Sequence, residues 1–216
     1  LLVFMQPDLG TSLVYIAIFV GMLFVSGIRL RLVRIIATVG VLLMPLAWFV
    51  LKDYQKQRIL VFMNPDIDPF GSGYHIIQSK IAIGSGTIFG KGLFNGTQSQ
   101  LNFLPENHTD FIFSVIGEEL GFIGCIFVLI LLFMLIYRSI KVAYSCNDRF
   151  GMLLATGIGS MLCFEVLVNA GMTMGIMPVT GIPLPFISYG VSALTTNMIS
   201  VGILLNISMQ RKKYIF

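Results

Sequence analysis

Glu106, His108 and Asp110 alternate through Leu104-Pro105-Glu106-Asn107-His108-Thr109-Asp110-Phe111-Ile112-Phe113, a polar segment that runs straight into a long apolar stretch. A carboxylate or imidazole fixed at such a place can take the proton of an attacking hydroxyl, the work of a general base. Pro105 breaks what precedes it, and Thr109 or Asp110 can cap the helix that follows. Capping alone would account for Asp110, since a helix N-terminus favours a carboxylate. Its setting argues for more. At 3.6 residues per turn, Ser114, Gly117, Gly121 and Gly124 fall beneath Asp110 on one face, a stripe small enough to admit a second helix. An acid at the rim of such a contact is held rigidly, as a catalytic base must be. Glu118 flanks the stripe about 12 Å deeper, and Glu119 is expected to point the opposite way.

Two further segments hold polar groups of interest. Met177-Pro178-Val179-Thr180-Gly181-Ile182-Pro183-Leu184-Pro185-Phe186-Ile187-Ser188-Tyr189-Gly190 contains prolines too dense for a regular helix. Such backbone is tolerated at membrane depth where it lines a cavity, so a re-entrant segment is expected, with Ser188 a candidate substrate contact. Glu165 and Asn169, one helical turn apart, can face the same cavity; for Glu165, snorkelling to the interface is the plainer account. The other segment is Gly84-Ser85-Gly86 followed by Gly90-Lys91-Gly92 and Gly96, either a phosphate cradle or a series of tight turns. It is not a Walker A loop, which would need glycine at Ser85 and Ser or Thr at Gly92. Asn95-Gly96-Thr97 and Asn107-His108-Thr109 are formal glycosylation sequons of a kind that arises often by chance.

What must position these groups is a set of helices in lipid. Of the 216 residues 56% are hydrophobic and only 11% charged, a balance outside that of water-soluble domains. Long apolar runs without period-2 alternation leave helices as the spanning element, so the expected class is all-α, a polytopic transmembrane helical bundle. Spans are expected at about 11–28, 35–51, 111–137, 150–168 and 187–207, each near the roughly 20 residues that cross a bilayer. Leu1–Met5 reads as the end of a further one, in a chain that is the C-terminal part of something larger. Arg29, Arg31 and Arg34, then Arg138, Lys141 and Arg149, then Arg211, Lys212 and Lys213 mark three cytoplasmic segments, the last of them the C-terminus. The long 52–110 loop is therefore extracytoplasmic, and it holds five charges of each sign. Within it, His75–Ile83 is expected to be an interfacial helix with Ile76, Ile77 and Ile81 on its apolar side. The net charge of +4 follows from this topology and calls for no nucleic acid. Cys125, Cys146 and Cys163 show no metal spacing and read as packing residues.

Several of these segments together resemble one family. Gln6-Pro7-Asp8-Leu9-Gly10-Thr11, Gln57-Arg58 with Asn64-Pro65, Gly73-Tyr74-His75-Ile76-Ile77-Gln78-Ser79, the 104–113 segment with Gly117-Glu118-Glu119-Leu120-Gly121, and Gly181–Gly190 are similar to the SEDS proteins (shape, elongation, division, sporulation). Gly181-Ile182-Pro183-Leu184-Pro185 resembles the RodA branch. The resemblance implies a bacterial cytoplasmic-membrane glycosyltransferase that polymerises lipid II into glycan outside the membrane beside a class B penicillin-binding protein, releasing undecaprenyl pyrophosphate. It matches Asp110 to the family's catalytic aspartate. Arg58, Lys80 and Lys91 are then candidates for the pyrophosphate. Glu106, His108 and Glu118 are the alternative bases, and a divalent cation on loop carboxylates is conceivable though no ligand spacing establishes it. A flippase for the lipid-linked precursor, or a scaffold activating a partner synthase, are the rival functions. Charges gathered on one side favour chemistry there over transport across the membrane. One departure stands out: the family usually continues Ser-Tyr-Gly-Gly-Ser-Ser, whereas here Ser188-Tyr189-Gly190 is followed by Val191-Ser192-Ala193.

Overall fold

The computed structural model describes residues 8–28, 52–68, 71–101 and 103–210, with isolated positions between 31 and 49. The expected Leu1–Met5 end of a span, most of the 35–51 span, Arg29 and the basic residues 211–213 lie outside the described residues. Among the described residues every regular element is helical: α1 Leu9–Val25, α2 Asp53–Met63, a 3-10 turn Pro65–Ile67, α3 Ser72–Ser85, α4 Thr97–Gln100, α5 Ile112–Tyr144, α6 Arg149–Thr173 and α7 Val191–Gln210. Helices α5, α6 and α7 are long and apolar enough to cross a membrane, and α1 is a shorter apolar helix.

Helix α6 is the centre of the bundle. Its small residues allow this: a Cβ on Gly157 would lie 3.3 Å from Met22 of α1, and one on Gly159 would meet the Ser139 hydroxyl of α5 at 2.6 Å. Asp148 caps α6 by accepting from Gly151 N at 2.9 Å, and Asp8 caps α1 through Thr11 N at 3.0 Å and Thr11 Oγ1 at 2.6 Å.

The sequence leads one to expect a single unbroken helix from Phe111; α5 is instead interrupted at Gly121, whose φ of 66° and ψ of −162° no helix tolerates. Backbone groups freed by the break are taken up by the glycine-rich segment. Lys91 N and Gly92 N donate to the carbonyls of Glu118 and Glu119, while Phe122 N and Ile123 N donate to those of Thr87 and Ile88. The inserted chain thus completes the helix from outside, which satisfies polar groups that burial would otherwise penalise. A Cβ at Gly121 would stand 2.6 Å from the Ile88 carbonyl oxygen, so both the φ and the close approach demand glycine.

This geometry corrects three expectations. The small-residue stripe ends at Gly121: Ser114 and Gly117 face α3, but Gly124, past the break, packs against the Leu120 side chain of its own helix. Glu119 does not point away from Glu118, because the turn at Thr97–Gln100 covers both; Gln100 Nε2 donates to Glu119 Oε1 at 3.4 Å. On α3 the buried face is Ile76, Ser79 and Ala82, with Ile81 exposed. Small Ser79 and Ala82 allow α5 to approach, and that contact outweighs the apolar count. Ser79 Oγ joins three helices, meeting Ser114 Oγ of α5 and donating to the Thr173 carbonyl of α6, both at 2.6 Å.

Candidate active site

Asp110 sits in the turn before α5, half-buried. The carbonyls of three consecutive residues, His108, Thr109 and Asp110, are each held from across the fold. Tyr189 N donates to His108 O at 2.8 Å, Ser188 Oγ to Thr109 O at 2.7 Å, and Asn169 Nδ2 to Asp110 O at 2.9 Å. Asn169 is fully buried and its amide also donates to Ile182 O at 2.8 Å, while Ser188 Oγ accepts from Leu184 N at 2.7 Å. The proline-dense segment is therefore a rigid brace for the Asp110 turn. Its prolines supply no N–H, and side chains from α6 and from the segment itself provide the donors.

The Asp110 carboxylate faces Gly181, where a Cβ would lie 3.3 Å from Oδ2 at a φ of 75°. Desolvation pushes the Asp110 pKa above the ordinary range, the nearby Glu106 charge pushes the same way, and Arg58 opposes both. A carboxylate of raised pKa is a stronger base once ionised, which suits proton abstraction. Glu106 is exposed, with a φ of 54°, and its Oε2 accepts from Thr109 Oγ1 at 3.1 Å. Arg58 also acts on Asp8, whose pKa is lowered mainly by the Thr11 hydroxyl. Gly10 brings α1 against this place: a Cβ there would be 2.7 Å from the Thr180 carbonyl oxygen. Asp8, Arg58, Asp110 and the Thr180–Ile182 backbone thus gather at one end of the bundle.

The other sequence candidates divide. Lys91 and Glu118, read separately as a pyrophosphate cation and an alternative base, are bound to each other at 2.8 Å. The buried Glu118 carboxylate also accepts from Thr97 Oγ1, Gln98 N and Ser99 N. Both groups are thus spent on structure, and the backbone N–H groups of Lys91 and Gly92 are spent on the helix break, so no phosphate cradle is left there. Lys80 is exposed and crosses Gly175, in the connection after α6. His108 shows an exposed side chain and contributes its carbonyl to the brace. Asn169 and Ser188 join the Asp110 turn to the proline-dense segment. Asn107 is buried and donates to Ser99 O at 2.9 Å, which closes that sequon to modification in the folded chain. Val191, the departure from the family pattern, is 78% exposed and crowds nothing around the brace. Among the described residues no three His, Cys, Asp or Glu side chains gather as a metal site. Sequence reasoning overlooked Asp8 as part of this cluster, since nothing but a shared motif tied it to a turn a hundred residues away.

Comparison with known proteins bears on the family and the fold. A family model for FtsW, RodA and SpoVE, described as cell cycle protein, matches residues 1–213. The chain is 49% identical over 213 residues to peptidoglycan glycosyltransferase MrdB of Escherichia coli K12, covering 98% of this chain and 58% of MrdB. It is 36% identical over 282 residues to peptidoglycan glycosyltransferase RodA of Treponema pallidum, covering 97% of this chain and 65% of that protein. A solved structure concerned with coordination of polymerization and crosslinking by a peptidoglycan synthase complex superposes with a TM-score of 0.79 at 34% identity, over 98% of this chain and 59% of its counterpart. A crystal structure of a variant of the rod shape determining protein RodA from Thermus thermophilus gives a TM-score of 0.61 at 30% identity, over 96% of this chain and 52% of its own. The fold and site define an all-helical integral membrane protein. The chain belongs to the FtsW/RodA/SpoVE family, the SEDS proteins, and it spans a little under three fifths of the length of the MrdB relative it matches.

Proposed function

We propose that the full-length protein is a peptidoglycan glycosyltransferase that joins lipid II units into glycan strands at the outer face of a bacterial cytoplasmic membrane. The observation that carries this reading is the bracing of Asp110: three successive carbonyls held from across the fold fix a carboxylate of raised basicity within the field of Arg58. Asp110 takes the proton of the acceptor sugar's 4-hydroxyl as that oxygen bonds to the donor's anomeric carbon. The bond from that carbon to undecaprenyl pyrophosphate breaks with inversion, and the pyrophosphate leaves with the electron pair. Arg58, whose charge acts on Asp110, is the cation assigned to the developing negative charge. Lys80, which is exposed, is a second cation toward the same end of the bundle.

In this reading the C-terminus lies in the cytoplasm and the 52–110 segment outside, the orientation favoured by the placement of the basic residues. The partner is a class B penicillin-binding protein, which supplies crosslinking to the strands. Purified full-length protein with that partner, given labelled lipid II and a transpeptidase inhibitor, tests the reading. Long glycan is the expected product; translocation of lipid II across vesicles without glycan would favour a flippase.

A further inference from the structure

The 86–96 segment is built inside out. Its one charged side chain, Lys91, turns inward to the fully buried Glu118. Its large apolar side chains turn outward: Ile88 and Leu93 are well exposed, and Phe89 and Phe94 are each 79% exposed. Nor is it a slack loop that has splayed open. Four backbone hydrogen bonds tie residues 87–92 to the two sides of the α5 break, and glycine contacts at Gly86 and Gly90 bring backbone against backbone. Phe94 adopts a φ of 61°, a conformation that costs a bulky residue and presents its ring outward nonetheless.

A rigid segment that hides its charge and displays phenylalanines gains when those rings meet hydrocarbon rather than water. Distance along α5 points the same way. From Phe122 to Tyr137, before the basic Arg138, the helix rises about 24 Å, less than the roughly 30 Å of a hydrocarbon core. The remaining depth falls at the level of Glu118–Gly121, where the segment is attached. Phe122 and Ile123 on the helix are themselves exposed, so the apolar surface runs without interruption from the membrane-crossing part of α5 onto the segment.

We infer that the 86–96 segment is seated in the outer-leaflet interface as a fixed wedge, its backbone at headgroup level and its Phe89 and Phe94 rings reaching the acyl chains. This departs from the sequence expectation that the whole 52–110 stretch, apart from one interfacial helix, lies outside the bilayer. The test is fluorescence depth measurement on the full-length protein in liposomes. Trp48 and any tryptophan in the rest of the chain are replaced by phenylalanine, then Phe89→Trp and Phe94→Trp are made singly, with Asp66→Trp as the aqueous reference. Both conservative variants are expected to lose fluorescence in bilayers brominated at mid acyl chain and to resist iodide, while the Asp66 variant shows the reverse. Quenching by iodide without a bromolipid effect would overturn the inference by placing the segment in water. Protection from both quenchers at both positions would overturn it too, by showing that protein covers the surface.

Discussion

The Asn169 amide nitrogen stands 2.9 Å from the Asp110 carbonyl and 2.8 Å from that of Ile182, so one buried side chain joins the Asp110 turn to the proline-dense segment. Removing it leaves two buried carbonyls short of a donor, at about 1–3 kcal/mol for each group left unsatisfied. Asn169→Ala should therefore lower the midpoint of thermal unfolding. Asn169→Asp should lower it at least as far at neutral pH, because a fully buried carboxylate cannot donate to either carbonyl. Lipid II polymerisation and a thermal shift, measured on both variants, check this; equal polymerisation by parent and variants would remove Asn169 from the brace.

A second expectation concerns the Lys91–Glu118 pair. Breaking a buried ion pair by deleting one partner typically costs about 3–5 kcal/mol, and replacing both costs less. Lys91→Met and Glu118→Gln should each reduce the yield of folded protein, with Lys91→Met the worse because it leaves a buried carboxylate without its counter-ion. The double variant should recover part of the loss. A double-mutant cycle on detergent-solubilised protein gives the coupling, and strict additivity would show the two side chains acting independently.

The broad architecture was legible because lipid leaves few choices. Apolar length marked α5, α6 and α7, and Pro178, Pro183 and Pro185 marked the irregular segment between the last two. Gly121 was less legible. As one glycine among several in an apolar stretch it looked like packing, and only its backbone conformation and the distant Thr87–Gly92 chain show that it ends a helix. The same long-range relation made Lys91 look free. Asp110 was singled out from local sequence and from the family resemblance, yet the donors that hold its turn come from Asn169, Ser188 and Tyr189, whose pairing with it leaves no signature in spacing.

Orientation can be checked by labelling. In a cysteine-free background, Asp66→Cys should react with a membrane-impermeant thiol reagent on intact spheroplasts, and Tyr144→Cys should react only after permeabilisation. Both positions are exposed, so access is set by the membrane. The reverse pattern would put the Asp110 end inside and contradict an external reaction.

Burial raises the Asp110 pKa, with Glu106 reinforcing it. The folded protein therefore holds this proton to a higher pH than the unfolded chain does. Sign follows from that difference: stability from this group is fullest below the unfolded pKa near 3.8 and falls as pH rises through the folded value. At neutral pH the ionised carboxylate is a cost, so Asp110→Asn should unfold at a higher temperature than the parent, with the gap closing as pH is lowered toward the acid range. An asparagine variant less stable at neutral pH would mean that the carboxylate is stabilised where it stands.

The most direct measurement is the rate at which Asp110→Asn, in the full-length protein with its partner, polymerises labelled lipid II. Asparagine nearly keeps the volume, and the brace holds the backbone carbonyls rather than the carboxylate, so insertion, folding and partner binding should persist. What is lost is proton acceptance, which typically contributes about 100- to 10,000-fold. Glycan formation reduced by about that factor, in protein that still binds its partner, is the predicted result. Polymerisation within a few-fold of the parent would contradict the assignment of Asp110 as the base.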